Sequence, residues 1–407
     1  MNWAAAIVLS ACFFSVALGQ VTGTAKSPTL RQQQGVAQLQ GGHLQDALSE
    51  FRAAVAENPN DGVSHDYIGV ILGESGKLNE AIAEFEQAAR FEPGLPDPHF
   101  HLGLAYEQAN RTSQAISEYH EALRLNPALL EAQYGLSAIC ARLGDLDGAI
   151  HLLREVIKAA PSFAEAHYNL GLNLWNKYKR SMGLRQKSDL DQALEELGTA
   201  SQLAPKQPRI YFALGQILAD RGNLAPAVEN LQKAVELKKS AMSSSPQAAK
   251  SPTQGVSDNS VLAAYYDSLG AAAARIGKAE EGISAYKQAA ELDPAAAGHY
   301  YLNLGILLTN SNTKGDPALT KQAVDAFDKA IAADPKNADA YYLKGSNLIG
   351  LAKTDSSNKV IAPPGTAEAF QKYLELQPNG PHAADAKSML ALVGSTLETT
   401  YGKKKKN

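Results

Sequence analysis

Five aromatic residues are the side chains best suited by type and spacing to bind another molecule. Phe100, Tyr134, Tyr168 and Phe212 follow one another at intervals of 34, 34 and 44 residues, and the last interval contains an insertion of ten residues. Trp175 stands two helical turns after Tyr168. Large aromatic rings bind partners by desolvated apolar contact and by their polar tips, so this set favours recognition of a polypeptide.

Two interpretations of these aromatic residues remain open. In the first, the rings form a stripe along one wall of a groove and contact a bound peptide, whose register would be fixed by neighbouring polar side chains. In the second, the rings pack against the adjacent structural unit and expose little surface. The polar neighbours in the first interpretation are Glu107, Gln108, Arg142 and Asn176.

Motifs that carry catalysis or metal binding are missing. Residues 73–77, Gly-Glu-Ser-Gly-Lys, look like a phosphate loop, but Ser or Thr is missing after Lys77 and the segment follows a predicted helix instead of a strand. His99 and His101 are two residues apart, which places them on different helix faces and prevents a shared metal ligation. The sequence contains neither a His-Glu-x-x-His motif nor a Gly-x-Ser-x-Gly elbow. It predicts a protein that is not an enzyme and that uses no metal or cofactor.

The elements that must position the aromatic residues follow a period of 34 residues. Such a period predicts helix–turn–helix units that stack on one another. Within each unit we expect Gly on the first helix to let Ala on the second approach closely, while a large apolar residue fills the gap toward the next unit. Pro ends the second helix because it cannot donate the backbone hydrogen bond. The periodic residues are Gly35, Gly69, Gly103 and Gly171; Ala47, Ala81, Ala115 and Ala149; and Pro59, Pro93, Pro127 and Pro161.

The period divides the chain into nine repeats. Repeats one to six cover residues 28–238, and repeats seven to nine cover residues 261–381. A segment rich in Ser and Pro, 239–260, lies between them and is predicted to be a mobile linker. One more helix, 382–396, is predicted to cap the stack. Residues 397–407 are predicted to form a basic tail that is solvated or, as the alternative, contacts an anionic surface. The first eight repeats begin at residues 28, 62, 96, 130, 164, 208, 263 and 298.

The repeated residues resemble the tetratricopeptide repeat (TPR) family, whose Leu-Gly, Ala, aromatic-or-Leu, Ala and Pro positions recur together from Pro28 to Thr396. The family's Trp at the fourth position is absent, and His65, His99 and His167 stand there. The resemblance implies an all-α, right-handed superhelical solenoid of about nine repeats with a C-terminal capping helix. It also implies that the first helices line an inner groove and that a protein or peptide binds in it.

The resemblance adds Asn169 to the predicted peptide-binding residues. Some members of the family hold the peptide backbone with a ladder of Asn residues, and Asn169 and Asn303 match that position, although the other repeats do not. Other members grip the carboxylates at a partner's C-terminus with Lys and Asn. Here those positions mostly carry apolar or aromatic residues, so this clamp is not predicted. The predicted peptide-binding residues are Phe100, Tyr134, Tyr168, Asn169, Trp175 and Phe212.

The first 19 residues predict export. An apolar run is followed by a small-x-small cleavage motif that ends at Gly19, and residues 20–27 form a short flexible N-terminus. A Leu-Ser-Ala-Cys sequence ending at Cys12 also resembles a bacterial lipobox, so an envelope lipoprotein is the alternative to a periplasmic or secreted protein. After signal removal Cys140 is the one remaining cysteine, which excludes an intramolecular disulfide and predicts a small core residue. No other segment is apolar over the length of a membrane span.

The charge balance argues against nucleic acid as a partner. The chain has 38 basic and 42 acidic residues and a formal net charge of −4, so it has no strong basic field. We expect a non-catalytic protein–protein interaction scaffold with a polypeptide in its groove. The second hypothesis is a lipoprotein-type accessory subunit that organises a cell-envelope complex. The sequence does not indicate an oligomeric state.

Overall fold

The computed structural model describes residues 28–181, 187–244, 257–354, 356 and 360–393. These residues form nineteen helices and one short hairpin, and the chain divides into two units, residues 1–203 and 204–407. The predicted signal peptide (1–19), N-terminal segment (20–27) and basic tail (397–407) lie outside the described residues. The all-α fold of consecutively paired helices that the 34-residue period predicts is confirmed.

The described part of the first unit contains ten helices in five consecutive pairs, which correspond to repeats one to five. Each pair consists of a first helix and a second helix that pack together along their length. The helices are α1 (Leu30–Gln40), α2 (Leu44–Glu57), α3 (Gly62–Glu74), α4 (Leu78–Phe91), α5 (Pro96–Gln108), α6 (Thr112–Leu125), α7 (Leu130–Leu143), α8 (Leu146–Ala159), α9 (Ala164–Arg180) and α10 (Lys187–Leu203).

The second unit has four further pairs and then a single helix, α19, which packs against α18. This last helix stands where the sequence predicts a cap over 382–396, of which 394–396 lie outside the described residues. The helices are α11 (Pro208–Arg221), α12 (Leu224–Ser244), α13 (Asp258–Arg275), α14 (Ala279–Leu292), α15 (Ala297–Ser311), α16 (Pro317–Ala333), α17 (Ala338–Ile349), α18 (Thr366–Leu376) and α19 (Ala383–Leu392).

The turn between the two helices of a repeat requires a left-handed residue. Gly76 has a φ of 76° between α3 and α4, a conformation that a residue without Cβ adopts at little cost. Asn110 takes the same place in repeat three with a φ of 59°. Asn is among the few residues with a side chain that visit this region readily, so the turn is preserved without glycine.

The packing between paired helices corrects one detail of the sequence analysis. A Cβ added to Gly69 would stand 2.6 Å from the ring of Phe85, and one added to Gly103 would stand 2.8 Å from the ring of Tyr119. Both rings are fully buried. In repeats two and three the periodic Gly therefore makes room for the large residue on the second helix of its own repeat, instead of for the Ala four residues earlier.

Regular structure occurs in the ten-residue insertion of repeat five, in the predicted linker 239–260 and between the two helices of repeat nine. The ten extra residues of repeat five lengthen both of its helices, since α9 and α10 each have 17 residues where α7 and α8 have 14. Helix α12 extends to Ser244 and α13 begins at Asp258, so helical residues occupy both ends of the segment 239–260, whose residues 245–256 are not described. In repeat nine, β1 (Lys353–Thr354) pairs antiparallel with β2 (Val360–Ile361). This hairpin is not predicted from the sequence.

Candidate peptide-binding surface

The first helices of the repeats form the inner side of the first unit. Helix α3 packs directly on α5, and α5 packs on α7, whereas consecutive second helices pack on each other less closely. In a stack of helix pairs, the side on which consecutive helices approach most closely is the concave side. The first helices are therefore called the inner helices below.

Phe100 does not belong to an accessible surface. The side chain is on inner helix α5 but is only 3% exposed, and its ring centroid lies 6.2 Å from that of Tyr119 and 5.3 Å from that of His101. A bound peptide cannot reach the ring while it is packed inside repeat three. This burial favours the packing interpretation for Phe100, and its contact with a peptide stays an untested prediction.

Tyr134 and Asn169 are brought together from neighbouring inner helices. The Asn169 side-chain amide on α9 donates a hydrogen bond of 2.7 Å to the hydroxyl of Tyr134 on α7. The ring of Tyr134 also lies 5.2 Å from that of Phe163. Both partners of the hydrogen bond are half-buried, so part of each side chain faces solvent. The pair joins repeats four and five at a place that a ligand on the inner helices would contact.

Tyr168 and Trp175 are half-buried on helix α9, two turns apart. The ammonium group of Lys179 lies 3.6 Å from the ring centroid of Trp175, which gives the indole a cation–π partner. We name Tyr134, Tyr168, Asn169 and Trp175 the inner aromatic surface. That this surface binds a peptide stays a prediction.

Phe212 lies in the second unit. Its half-buried ring stacks on Tyr265 of α13, with centroids 4.3 Å apart and an interplanar angle of 23°. This contact joins the first helices of repeats six and seven. Phe212 is therefore considered apart from the inner aromatic surface, whose four residues all belong to the first unit.

A regular polar contact links inner helices of successive repeats. In three places the fifth residue of one repeat hydrogen-bonds the sixth residue of the next: Asp66 with His101 at 2.9 Å, Tyr134 with Asn169 at 2.7 Å, and Asp267 with Asn303 at 3.1 Å. The sequence predicts the two Asn residues only as peptide-backbone ligands. The signal for these contacts, which that prediction does not use, is a spacing of 35 or 36 residues between polar side chains.

Glu107 and Arg142, two polar side chains predicted to fix the register of a peptide, pair with each other. A guanidinium nitrogen of Arg142 lies 3.1 Å from a carboxylate oxygen of Glu107, and the second carboxylate oxygen accepts a hydrogen bond of 3.1 Å from the hydroxyl of Tyr119. The pair links α7 to α5 with the same 35-residue spacing. These contacts leave Glu107 and Arg142 as links between repeats three and four.

His101 stands in a buried group of ionisable side chains. It is 5% exposed, and Nδ1 lies 2.9 Å and 3.1 Å from the two carboxylate oxygens of Asp66. Burial alone would lower the pKa of His101, but attraction and hydrogen bonding by Asp66, together with attraction by Asp97 and Glu131, raise it. Burial also raises the pKa of Asp97. Attraction by His101 lowers this pKa, whereas repulsion by Asp66 and Glu131 raises it further.

A second regular contact joins the two helices in four of the first five repeats. The fourth residue of repeats one, two, three and five is basic or His, and it pairs with a Glu on the second helix. Repeat four has Gln133 and Leu152 instead, and the Gln133 amide donates to the carbonyl oxygen of Pro127. The pairs are Arg31 with Glu50 at 2.9 Å, His65 with Glu84 at 2.6 Å, His99 with Glu118 at 2.7 Å and His167 with Glu196 at 2.6 Å.

The described residues contain no group of three or more His, Cys, Asp or Glu side chains that could hold a metal ion. Within the same residues, every helix is too short or too polar to cross a membrane. Cys140 carries a free thiol on α7 and is half-buried.

Two family models match the sequence. The model described as the tetratricopeptide repeat of protein kinase G matches residues 15–213, and the general tetratricopeptide repeat model matches 208–240 and 263–295. The chain belongs to the tetratricopeptide repeat family. Both models describe repeats and neither describes a catalytic domain. The repeat class to which this TPR protein belongs consists generally of non-catalytic scaffolds that bind proteins.

Solved structures with a similar fold include three TPR proteins at low identity. YrrB, described as a TPR protein with an unusual peptide-binding site, is 21% identical over 47% of this chain and 94% of its own, with a TM-score of 0.40. MamA of Desulfovibrio magneticus RS-1 is 24% identical over 44% of this chain and 96% of its own, with a TM-score of 0.40. PilF of Pseudomonas aeruginosa is 15% identical over 61% of this chain and 97% of its own, with a TM-score of 0.46. At these values the similarities do not bear on what this TPR protein binds. No curated protein sequence matches the chain.

Proposed function

We propose that this TPR protein is a non-catalytic scaffold that binds a polypeptide segment on the inner helices of repeats four and five. The observation that carries the proposal is the inner aromatic surface, where Tyr134 and Asn169 are joined across the repeat boundary and Tyr168 and Trp175 lie on the same helix as Asn169. Each of the four side chains is half-buried. Rings held in this way combine an apolar contact area with fixed polar tips.

The polar contacts of the surface favour a peptide over a purely apolar ligand. Asn169 uses its amide nitrogen on Tyr134, and no described residue donates to its side-chain oxygen. That oxygen can accept a hydrogen bond from the backbone N–H of a bound peptide.

The available contact energy is sufficient for a transient interaction. A bound aromatic anchor contributes about 2 kcal/mol when its contact is fully desolvated. Two or three such anchors give about micromolar affinity after the costs of association. This range is appropriate for a scaffold that recruits and releases a partner.

The test of this function is selection from a displayed library of random linear peptides against the immobilised mature chain. We expect enriched sequences that bind the wild-type chain in solution and lose affinity for a Tyr134→Ala, Tyr168→Ala double variant. The matched control is Tyr301→Ala, which removes a half-buried tyrosine of α15 in the second unit. A selection that yields no binder, or binders equally affected by the control, would refute the proposal.

We also propose that the protein acts outside the cytoplasm, as a periplasmic or secreted scaffold. The support is the apolar N-terminal run with its cleavage motif at Gly19. The second candidate, an accessory lipoprotein of a cell-envelope complex, is favoured by the Leu-Ser-Ala-Cys sequence that ends at Cys12. The two candidates differ in the chemistry of the mature N-terminus.

A further inference from the structure

His101 occupies the contact between the inner helices of repeats two and three. The imidazole is 5% exposed and the Asp66 carboxylate that it contacts is 6% exposed, so neither group is well solvated. Nδ1 bonds both oxygens of Asp66, which is on α3, whereas His101 is on α5. The aromatic rings of Phe85 from α4 and Phe100 from α5 lie 5.5 Å and 5.3 Å from the imidazole.

The charged groups that act on this imidazole are all carboxylates. Asp66 faces it from α3, Asp97 acts on it from the same helix α5, and Glu131 acts on it from α7. Helix α4 contributes the uncharged ring of Phe85. Helix α6 contributes Tyr119, whose ring packs on Phe100 and whose hydroxyl donates to Glu107. A neutral imidazole therefore leaves the three carboxylates close together without a positive charge between them.

We propose that His101 is a pH-dependent lock between repeats two and three. The protonated imidazole holds α5 against the carboxylate of α3, and loss of the proton weakens this joint. Loss of the proton also lowers the net charge of the inner face of repeats two to four by one unit. The lock is a property of the fold and does not depend on what the inner aromatic surface binds.

The direction of the effect follows from linkage between protonation and folding. The pKa of His101 is raised in the folded chain above its value of about 6.5 in an unfolded chain. The stabilisation is therefore complete below about pH 6.5 and is lost as the pH rises through the higher pKa of the folded state. His101 therefore stabilises the fold more at mildly acidic pH than at basic pH. This direction is opposite to that of acid unfolding in a carboxylate-rich protein, where stability falls as the pH falls.

The experiment compares urea unfolding of the full chain at several values between about pH 6 and pH 8, the range in which His titrates. The variants are wild type, His101→Gln, which cannot become charged, and His120→Gln, which removes an exposed His on α6. We expect the urea concentration at the unfolding midpoint to be higher for the wild type than for His101→Gln. The difference between the two midpoints should be largest at the lowest pH and should shrink as the pH rises. The control His120→Gln should follow the wild type. A constant difference would overturn the lock.

A second measurement keeps the inference testable if His101→Gln does not fold. The imidazole of His101 in the wild-type chain is titrated by NMR through its ring carbon–proton signal. We expect a midpoint above the value of about 6.5 for an unstructured His. A midpoint at or below that value would overturn the lock, because the folded state would then not favour the proton.

Discussion

The side-chain amide of Asn169 donates a hydrogen bond of 2.7 Å to the hydroxyl of Tyr134, across the boundary between repeats five and four. The bond restrains both side chains before any ligand arrives, which reduces the entropy lost when a partner orders them. It also fixes the distance between a ring from α7 and an amide from α9. The inner aromatic surface is therefore organised by the stacking of repeats instead of by either helix alone.

The close approach of Gly69 to Phe85 makes alanine costly at this glycine. A Cβ at Gly69 would stand 2.6 Å from the Phe85 ring, so Gly69→Ala must displace a fully buried side chain. We expect the free energy of unfolding to fall by about 1 to 3 kcal/mol, the usual cost of overpacking. The matched control is Gly198→Ala on α10, where a Cβ meets no atom within 4 Å. That change should raise the helix propensity and stabilise by about 0.5 to 1 kcal/mol. If Gly69→Ala and Gly198→Ala change the free energy of unfolding in urea by the same amount, the described packing around Gly69 is contradicted.

The fourth-position pairs predict a coupled double substitution. Repeat four already carries Gln133 and Leu152 where repeat three carries His99 and Glu118. Glu118→Leu alone should destabilise by about 1 to 3 kcal/mol, because it removes the carboxylate 2.7 Å from the largely buried imidazole of His99. Adding His99→Gln should recover about 1 kcal/mol of that loss, since Gln can bond the neighbouring carbonyl as Gln133 does. Strictly additive changes in a double-mutant cycle would show that the pair is not coupled.

The thiol of Cys140 is expected to react slowly in the folded protein. Burial raises its pKa, with a further contribution from the nearby charge of Asp145, so less thiolate is present at a given pH. Alkylation by iodoacetamide at about pH 8 should be several-fold slower in the native chain than in urea, with mass spectrometry locating the label at Cys140. Equal alkylation rates in the native chain and in urea would mean that the thiol is not shielded and that its pKa is not raised.

The mature N-terminus decides between the two proposals for location. Export with cleavage after Gly19 predicts that mass spectrometry of the mature protein finds Gln20 as the first residue, open or cyclised. A lipid-modified Cys12 would support the envelope-anchored accessory subunit instead. An intact Met1 on protein recovered from the cytoplasm would contradict both.

Much of the fold was predictable because the period reports on backbone geometry. Gly69, Ala81 and Pro93 each occupy a place where the backbone admits few alternatives, namely a close approach, a packed helix face and a helix end. These requirements recur in most of the repeats and therefore show in the sequence. The hairpin of Val360–Ile361 with Lys353–Thr354 occurs once, so no periodicity reveals it.

The candidate site was less predictable because equivalent positions in two repeats differ in their neighbours. Phe100 and Tyr134 are both fifth residues, yet the first is buried and the second is half-buried. The ring of Tyr119 fills the space beside Phe100 and reaches Gly135 of the following repeat, where a Cβ would stand 2.8 Å from it. Tyr134 instead meets the polar Asn169. The partner of Tyr134 is 35 positions away, and the residues around Phe100 are 16 to 19 positions from one another, so a repeat-by-repeat comparison does not pair them.

The central claim is that the inner aromatic surface binds a polypeptide. Its most direct test is the dissociation constant of a library-selected peptide, measured by calorimetry for the wild type and for Tyr134→Ala with Tyr168→Ala. Loss of two anchors at about 2 kcal/mol each predicts at least a hundredfold weaker binding. The variant must keep the helical spectrum of the wild type, and Tyr301→Ala must keep its affinity. Unchanged affinity in the folded double variant would contradict the claim, and the two tyrosines would then serve only to pack repeats four and five together.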